Sequence, residues 1–186
     1  MRGNQPEPTV AICATEALDA AQRAAIVDAC IAAHDTEAFR ELFTTFIPSG
    51  GRHALVYLDA ELVSHGVVTT RWLQPADGRV LRTAFVDAVS TLPQYQGRGY
   101  GSTMMRALAA AVDDFEIGCL QTDKPGFYER LGWQLWRGPL GGRDADDRVV
   151  PTPDQQGVMV LQLARTPALD LDALLTVEVQ PARIWE

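Results

Sequence analysis

A glycine-rich turn in the middle of the chain has the residue types of an anion-binding site. Gly97, Gly99 and Gly101 follow the β-branched run 85–91 and open the helix-forming run 102–113. Alternating glycines permit backbone conformations and close approaches that other residues forbid. At the start of a helix, the first N–H groups lack intrahelical partners and lie at the positive end of the helix dipole. The pattern therefore predicts a site for a large anionic ligand.

Two common phosphate-binding motifs are excluded by their spacing. No glycine in the chain is followed by four residues and then Gly-Lys-Ser/Thr, so the turn is not a P-loop. The dinucleotide fingerprint G-x-G-x-x-G would need a glycine at position 102, where Ser102 stands. The ligand must therefore be recognised by a different pattern.

The pattern Gln96-x-x-Gly99-x-Gly101 resembles the acyl-CoA loop of the GNAT N-acetyltransferase superfamily, and residues 126–133 resemble its F-Y-x-x-x-G-[FW] segment. The resemblance implies an α/β (α+β) fold with a mixed, mostly antiparallel, V-split sheet flanked by helices. It also implies acetyl-CoA as the cofactor, with coenzyme A as product. The implied coenzyme-binding residues are Val89, Ser90, Thr91, Gln96, Gly97, Arg98, Gly99, Tyr100 and Gly101.

Most of the chain is similar to the aminoglycoside 2'-N-acetyltransferases. The similar segments are residues 51–56, 85–89, 128–133, 138–139 and 152–157, together with Trp185. The similarity implies direct acetyl transfer from acetyl-CoA to the 2'-amine of an aminoglycoside within a ternary complex.

Several positions depart from that family in the charge they carry. Asp87 stands where Glu is usual, Gln155 and Gln156 stand where acids usually follow Thr-Pro-Asp, and Arg183 stands where an acid is usual. Each change removes or shortens negative charge where a polycation would bind. Two alternatives therefore stay open: acetyl transfer to another small amine, such as a polyamine or amino sugar, and a non-catalytic module that binds acyl-CoA or a cationic drug.

Acetylation of an amine needs a group that accepts a proton and a group that donates one. Ammonium groups must lose a proton before they attack a thioester, and Asp87 is the predicted base, acting directly or through a water. Strand alternation places Phe85, Asp87 and Val89 on one face. The resemblance places Tyr128 where it would protonate the leaving thiolate. The Val89 N–H is predicted to stabilise the oxyanion, and the backbone of 89–91 to pair with the pantetheine arm.

Acidic and aromatic side chains are predicted to hold a small cationic amine. Acids pair with ammonium groups, and a Trp ring offers a face for cation–π contact. The predicted acceptor contacts are Asp35, Glu37, Asp87, Ala88, Asp154, Gln155, Trp185 and Glu186. His34, His53 and His65 share no common spacing and are assigned no catalytic or metal role.

Length and composition narrow the class of protein. A chain of 186 residues predicts one domain, 1–186, with residues 1–8 disordered. The net charge of −8 argues against nucleic acid and suits a cationic substrate as well as it suits solubility. No apolar run is long enough to span a membrane. Cys13, Cys30 and Cys119 form no metal or disulfide pattern, which predicts a cytoplasmic protein. The sequence does not give the oligomeric state, although homodimers are common in the superfamily.

A series of strands and helices must position these residues. The predicted helices are 18–33, 38–46, 102–113 and 125–131, and the predicted strands are 9–14, 53–58, 62–73, 80–92, 117–120, 133–136, 158–163 and 176–179. Strands 53–58, 62–73 and 80–92 should form an antiparallel meander, and strand 117–120 should run parallel to the last of them. Residues 137–156 are predicted to be an irregular loop.

Overall fold

The computed structural model describes residues 7–47, 49–181 and 183–185, so most of the predicted disordered lead lies outside the described residues. The chain forms two compact units. Unit 1 consists of Met1–Thr69 and Asp87–Ala111, and unit 2 consists of Thr70–Val86 and Val112–Glu186. The assignment of a single domain stays a prediction.

Unit 1 contains two helices and the strands that precede the glycine-rich turn. Its elements are β1 (Thr9–Ala14), α1 (Ala20–His34), β2 (Arg52–Leu58), the first part of β3 (Glu61–Pro75), the last part of β4 (Leu81–Thr91) and α2 (Tyr100–Ala110). Strands β1 and β2 are antiparallel, and β2 and β3 are antiparallel with Leu55 opposite His65. Helix α1 starts where Asp19 and Gln22 form a reciprocal capping box.

The predicted helix 38–46 is wrong. A 3-10 turn, Glu37–Glu41, is followed by a π-helical turn, Leu42–Phe46, which the Ile47 N–H closes on the Leu42 carbonyl at 2.7 Å. Because these turns do not have the 3.6-residue period, the apolar positions do not share one face. Leu42 is 2% exposed, whereas Phe46 is 41% exposed.

Helix α2 packs closely against β3 within unit 1. A Cβ placed on Gly66 would lie 2.6 Å from the Met104 sulfur and 3.2 Å from Leu108. Met104 and Met105 are buried and belong to the core. The close approach fixes the helix that begins at the glycine-rich turn.

Unit 2 contains the rest of the sheet. Its further elements are β5 (Ile117–Gln121), α3 (Pro125–Glu129), β6 (Gln134–Leu135), β7 (Leu140–Arg143), β8 (Val149–Pro151), β9 (Val158–Gln162) and β10 (Leu175–Glu178). The strand order is β6-β9-β5-β4-β3-β10-β7-β8. Strand β4 pairs with β5 in parallel, as predicted, and β10 pairs with β7 in parallel. The β5–β9, β6–β9, β3–β10 and β7–β8 pairs are antiparallel. The mixed, mostly antiparallel sheet confirms the predicted fold class.

The prediction that residues 137–156 form an irregular loop is wrong, because they contain the β7–β8 hairpin. Asp144 builds its turn by accepting the N–H groups of Asp146 and Arg148, each at 2.9 Å. Gly142 lies within β7, where a Cβ would approach the Val179 side chain to 2.7 Å. The glycine therefore allows close packing of a strand and does not mark a loop.

Within the described ranges, no helix has the length and apolar character needed to cross a bilayer.

Candidate functional site

Strand β4 is irregular at Ala88. This residue has a φ of 49°, in the left-handed region that non-glycine residues seldom adopt. Because side chains alternate between faces only in a regular strand, the alternation expected for Phe85, Asp87 and Val89 does not continue through Ala88. The irregularity lies beside the predicted base and the predicted oxyanion donor.

Four consecutive carbonyl groups at this irregularity, those of residues 88 to 91, accept hydrogen bonds from side chains of unit 1. The pairs are His65 Nδ1 with Ala88 O at 3.1 Å, His34 Nε2 with Val89 O at 2.9 Å, Ser64 Oγ with Ser90 O at 2.8 Å, and Gln96 Nε2 with Thr91 O at 3.1 Å. Sequence reasoning gave the histidines no role. A signal was available for His53 and His65, because the predicted strands 53–58 and 62–73 were expected to pair and each contains one of the two histidines.

The buried histidines should make the folded state sensitive to acid. Burial, with the charge of Arg23 as a smaller cause, lowers the pKa of His53 to about 4, and burial lowers the pKa of His65 to about 3. Between pH 6.5 and 4 the unfolded chain therefore binds protons that the folded chain does not, so stability is complete above pH 6.5 and falls with pH. Thermal melts from pH 8 to 4 test this. His53→Gln should give a shallower decline, and parallel curves would contradict the assignment.

The glycine-rich turn presents unobstructed backbone at the start of α2. Gly97 and Gly99 have φ values of 73° and 91°, and a Cβ on either would meet no atom within 4 Å. Gly99 caps α2 without a side-chain hydrogen bond to the first turn. The turn therefore fits a large phosphorylated group. Tyr100 is only 8% exposed, whereas Gln96 and Arg98 are exposed.

The predicted base, Asp87, is half-buried in unit 1. Its Oδ2 accepts a hydrogen bond from the Thr69 hydroxyl at 3.4 Å. Ala88, the neighbouring predicted acceptor contact, packs against the apolar core of unit 1. Only the Asp87 carboxylate of this pair has a polar group to offer a substrate amine.

The predicted acids after α1 are exposed. Asp35 ends α1 in the left-handed conformation, with a φ of 53°. Glu37 begins the following 3-10 turn and forms an ion pair with Arg40. The two carboxylates lie in the break between helical segments, where they were expected.

Tyr128 lies in α3 of unit 2 and is 8% exposed. Burial raises the pKa of its hydroxyl to about 12, and a hydrogen bond with the Thr122 side chain opposes that rise. Near neutral pH the phenol therefore keeps its proton. The ring packs edge-on against Phe127 and Trp133, which fixes its direction.

A cleft of about 1220 Å³ lies within unit 2. Its lining includes Asp123, Trp136, Arg137, Asp154 and Gln155. Arg137 forms a two-pronged ion pair with Asp172, with N–O distances of 2.7 and 2.6 Å. The carboxylates of the lining, Asp123 and Asp154, give the cleft the negative charge that a cationic ligand needs.

Trp185, a predicted acceptor contact, is 1% exposed in the core of unit 2. Its Nε1 donates a hydrogen bond to the Thr152 hydroxyl at 3.2 Å. The ring therefore offers no exposed face to a cation in this structure. Glu186 lies outside the described residues.

Among residues 7–47, 49–181 and 183–185, no group of three or more His, Cys, Asp or Glu side chains is arranged to hold a metal ion.

The sequence and the fold match those of known acetyltransferases. A family model described as an acetyltransferase (GNAT) domain matches residues 14–136. The aminoglycoside 2'-N-acetyltransferase of Mycolicibacterium fortuitum is 26% identical over 141 residues, which cover 73% of this chain and 72% of that protein.

Two solved structures have similar folds. The GNAT family N-acetyltransferase YhbS of Escherichia coli, crystallised with CoA, has a TM-score of 0.64 and 14% identity, and the match covers 94% of this chain and 92% of YhbS. A GCN5-related N-acetyltransferase of Kribbella flavida has a TM-score of 0.56 and 18% identity over 71% of this chain. The match spans only 34% of the Kribbella protein. At these identities the structural likeness establishes the fold alone. Since the family model covers more than half of the residues, the chain belongs to the GNAT acetyltransferase family.

Proposed function

We propose that this acetyltransferase moves the acetyl group of acetyl-CoA to a primary amine of a small polycationic sugar, with an aminoglycoside 2'-amine as the first candidate. The observation that carries the proposal is the open glycine turn at the start of α2. Uncapped N–H groups at the positive end of a helix suit the pyrophosphate of a coenzyme. The 2'-amine follows from the relative of Mycolicibacterium fortuitum.

The residues of unit 1 would hold the coenzyme and activate the amine. Gly97, Gly99 and Gly101 would present their backbone to the pyrophosphate, with Arg98 adding a charge. The backbone of 89–91 would pair with the pantetheine arm, and the Val89 N–H would donate to the acetyl oxygen as negative charge develops there. Asp87 would take the proton of the amine, directly or through a water.

The residues of unit 2 would complete the reaction and hold the acceptor. Tyr128 would give its proton to the departing sulfur, because its raised pKa keeps that proton in place until a stronger base forms. Asp123 and Asp154 would bind ammonium groups in the cleft that they line. Asp123 extends the set predicted from sequence, in which only Asp154 and Gln155 represent this cleft.

A second acceptor class, polyamines and simple amino sugars, is favoured by one observation. Trp185 is buried, so it does not offer the aromatic contact expected of it for a polycationic acceptor. With Gln155 and Gln156 neutral, the cleft would suit an acceptor with fewer positive charges. The third hypothesis, a non-catalytic module, is set aside because the family is one of acetyltransferases.

Release of free thiol from acetyl-CoA, measured across a panel of amines, tests the proposal. We expect aminoglycosides with a 2'-amine to give the largest kcat/KM, and aminoglycosides with a 2'-hydroxyl to give none. Asp87→Ala should lower kcat by about 100-fold, the order of effect of a general base. Coenzyme A affinity, measured by calorimetry, should change by less than ~2-fold, because the carboxylate is not assigned to the coenzyme.

The panel separates the acceptor classes. If polyamines are turned over in preference to all aminoglycosides, the proposed acceptor is wrong, and the proposed acetyl transfer to an amine stands. Absence of thiol release with every amine would overturn the proposed reaction. An unchanged kcat in Asp87→Ala would remove Asp87 as the base.

A further inference from the structure

Hydrogen bonds in the interior of unit 1 connect the turn before β2 to the irregularity of β4. The Gly51 N–H donates to Thr15 Oγ1 at 3.0 Å, and Thr15 Oγ1 lies 2.9 Å from His53 Nε2. His53 Nδ1 lies 2.9 Å from His65 Nε2, and His65 Nδ1 lies 3.1 Å from the Ala88 carbonyl oxygen. Both histidines are fully buried and Thr15 is 1% exposed, so these bonds are shielded from water.

The chemistry of the last acceptor fixes the direction of every bond in this series. A carbonyl oxygen only accepts, so His65 carries its proton on Nδ1 and accepts at Nε2. His53 then donates from Nδ1 and accepts at Nε2. The Thr15 hydroxyl has a single proton and two acceptors in reach, His53 Nε2 at 2.9 Å and the Gly51 carbonyl oxygen at 3.2 Å, and this tautomer of His53 directs the proton to the nearer one. Both imidazoles are neutral at physiological pH, because burial lowers the pKa of each. Aligned bonds of this kind strengthen one another.

The start of the series is tightly packed. A Cβ on Gly51 would lie 2.6 Å from Thr15 Oγ1 and 2.9 Å from the Ile47 side chain. At the other end, His34 holds the next carbonyl, that of Val89, from the exposed side of unit 1. Two histidines thus fix two successive carbonyl groups on either side of the Val89 N–H.

Fixing the Ala88 carbonyl also fixes the amide that follows it. A trans peptide is planar, and its C=O and N–H point in opposite directions. No cis peptide occurs among the described residues. Since the Ala88 carbonyl points to the buried His65, the Val89 N–H points away from that interior. The left-handed φ of Ala88 makes this peptide the one in β4 that most needs an external restraint.

From this geometry we infer that His65, supported by His53 and Thr15, and His34 are positioning residues that aim the Val89 amide at the acetyl oxygen of the thioester. The inference rests on the proposed function, which makes that amide the donor to the developing negative charge. The histidines act through the Ala88 and Val89 carbonyls, and neither is assigned a contact with the substrate or the coenzyme. Their effect should fall more strongly on kcat than on coenzyme binding, to which the Val89 backbone is one of several proposed contributors.

Amide side chains allow a crossed test. The amide nitrogen of Asn lies as far along its side chain as His Nδ1, and that of Gln lies as far as His Nε2. His65 donates through Nδ1, so His65→Asn should retain the bond to Ala88, and His65→Gln should lose it. His34 donates through Nε2, so His34→Gln should retain the bond to Val89, and His34→Asn should lose it.

We expect His65→Gln and His34→Asn each to lower kcat by about 30-fold, less than the loss of a whole oxyanion donor. His65→Asn and His34→Gln should stay within ~3-fold of the original enzyme. A readout independent of turnover is the infrared stretch of ¹³C-labelled acetyl-CoA bound without amine. Its carbonyl frequency should rise in the two impaired variants and stay constant in the two retained ones. Coenzyme A affinity should change less than kcat in the two impaired variants.

Equal losses for Asn and Gln at each position, or no losses, would overturn the inference and leave the histidines a packing role. His34 is exposed, so its pair of variants decides the question even where a change at buried His65 prevents folding. Absence of thiol release by the unmodified protein would count against the proposed function instead. The carbonyl frequency would then still report whether the histidines orient the Val89 amide.

Discussion

Replacing Tyr128 by Phe should lower the rate of thiol release by about 100-fold, within the range of general acid catalysis. The phenol is 8% exposed, and burial raises its pKa to about 12. It therefore enters the reaction protonated, and Phe removes that proton without changing the packing against Phe127 and Trp133. Stopped-flow detection of the thiol in a single turnover measures the step directly.

A matched control for this change is Tyr95→Phe, in unit 1. The Tyr95 hydroxyl donates to Glu61 at 2.6 Å and has no assigned catalytic role. We expect its kcat to stay within ~2-fold of the original enzyme. A substrate analogue with a more acidic thiol leaving group should restore most of the rate in Tyr128→Phe, because such a thiolate departs without protonation. A uniform loss for both thioesters would contradict the role of proton donor.

Replacing Gly157 by Ala should destabilise the protein by about 3 kcal/mol, since it combines a strained backbone with an overlap of atoms. Gly157 has a φ of 72°, and a Cβ there would lie 1.8 Å from the Thr122 carbonyl oxygen. Relief would require breaking the bond from the Thr122 N–H to the Gly157 carbonyl, which is 2.9 Å long. For a chain of this size, the melting temperature should fall by roughly 10 °C.

Gly126→Ala is the control for this prediction. A Cβ on Gly126 meets nothing within 4 Å, and the residue lies inside α3 without a positive φ. Alanine favours helix over glycine by about 1 kcal/mol, so the melting temperature should hold or rise. Equal effects of the two substitutions would show that the loop before β9 tolerates a side chain, contrary to the geometry.

The parts of the fold that local pattern determines were predictable. Residues 62–73 are rich in Val and Thr, which predicts a strand, and the structure confirms this strand as β3 and the predicted strand 53–58 as β2. The helix-forming run 102–113 predicted a helix after the glycine-rich turn, and the structure has α2 there. These features depend on neighbours in the sequence.

The parts that depend on distant partners were not predictable. Gly141 and Gly142 are typical of a loop, and only their packing against Val149 and Val179 explains a strand there. The buried position of Trp185 depends on Thr152 and the core around it. The convergence of His34 and His65 on β4 depends on the left-handed turn at Ala88, which no residue type signals.

The contacts of Thr122 should limit how the acceptor specificity of this enzyme can change. Its backbone N–H donates to the carbonyl of Gly157, which lines the cleft, and its side chain bonds the Tyr128 hydroxyl. Any substitution that reshapes residues 152–157 to admit a new acceptor should therefore disturb the alignment of Tyr128, the proposed proton donor. Variants selected for a broader acceptor range should turn over more slowly on every substrate, and compensating changes should appear around Thr122.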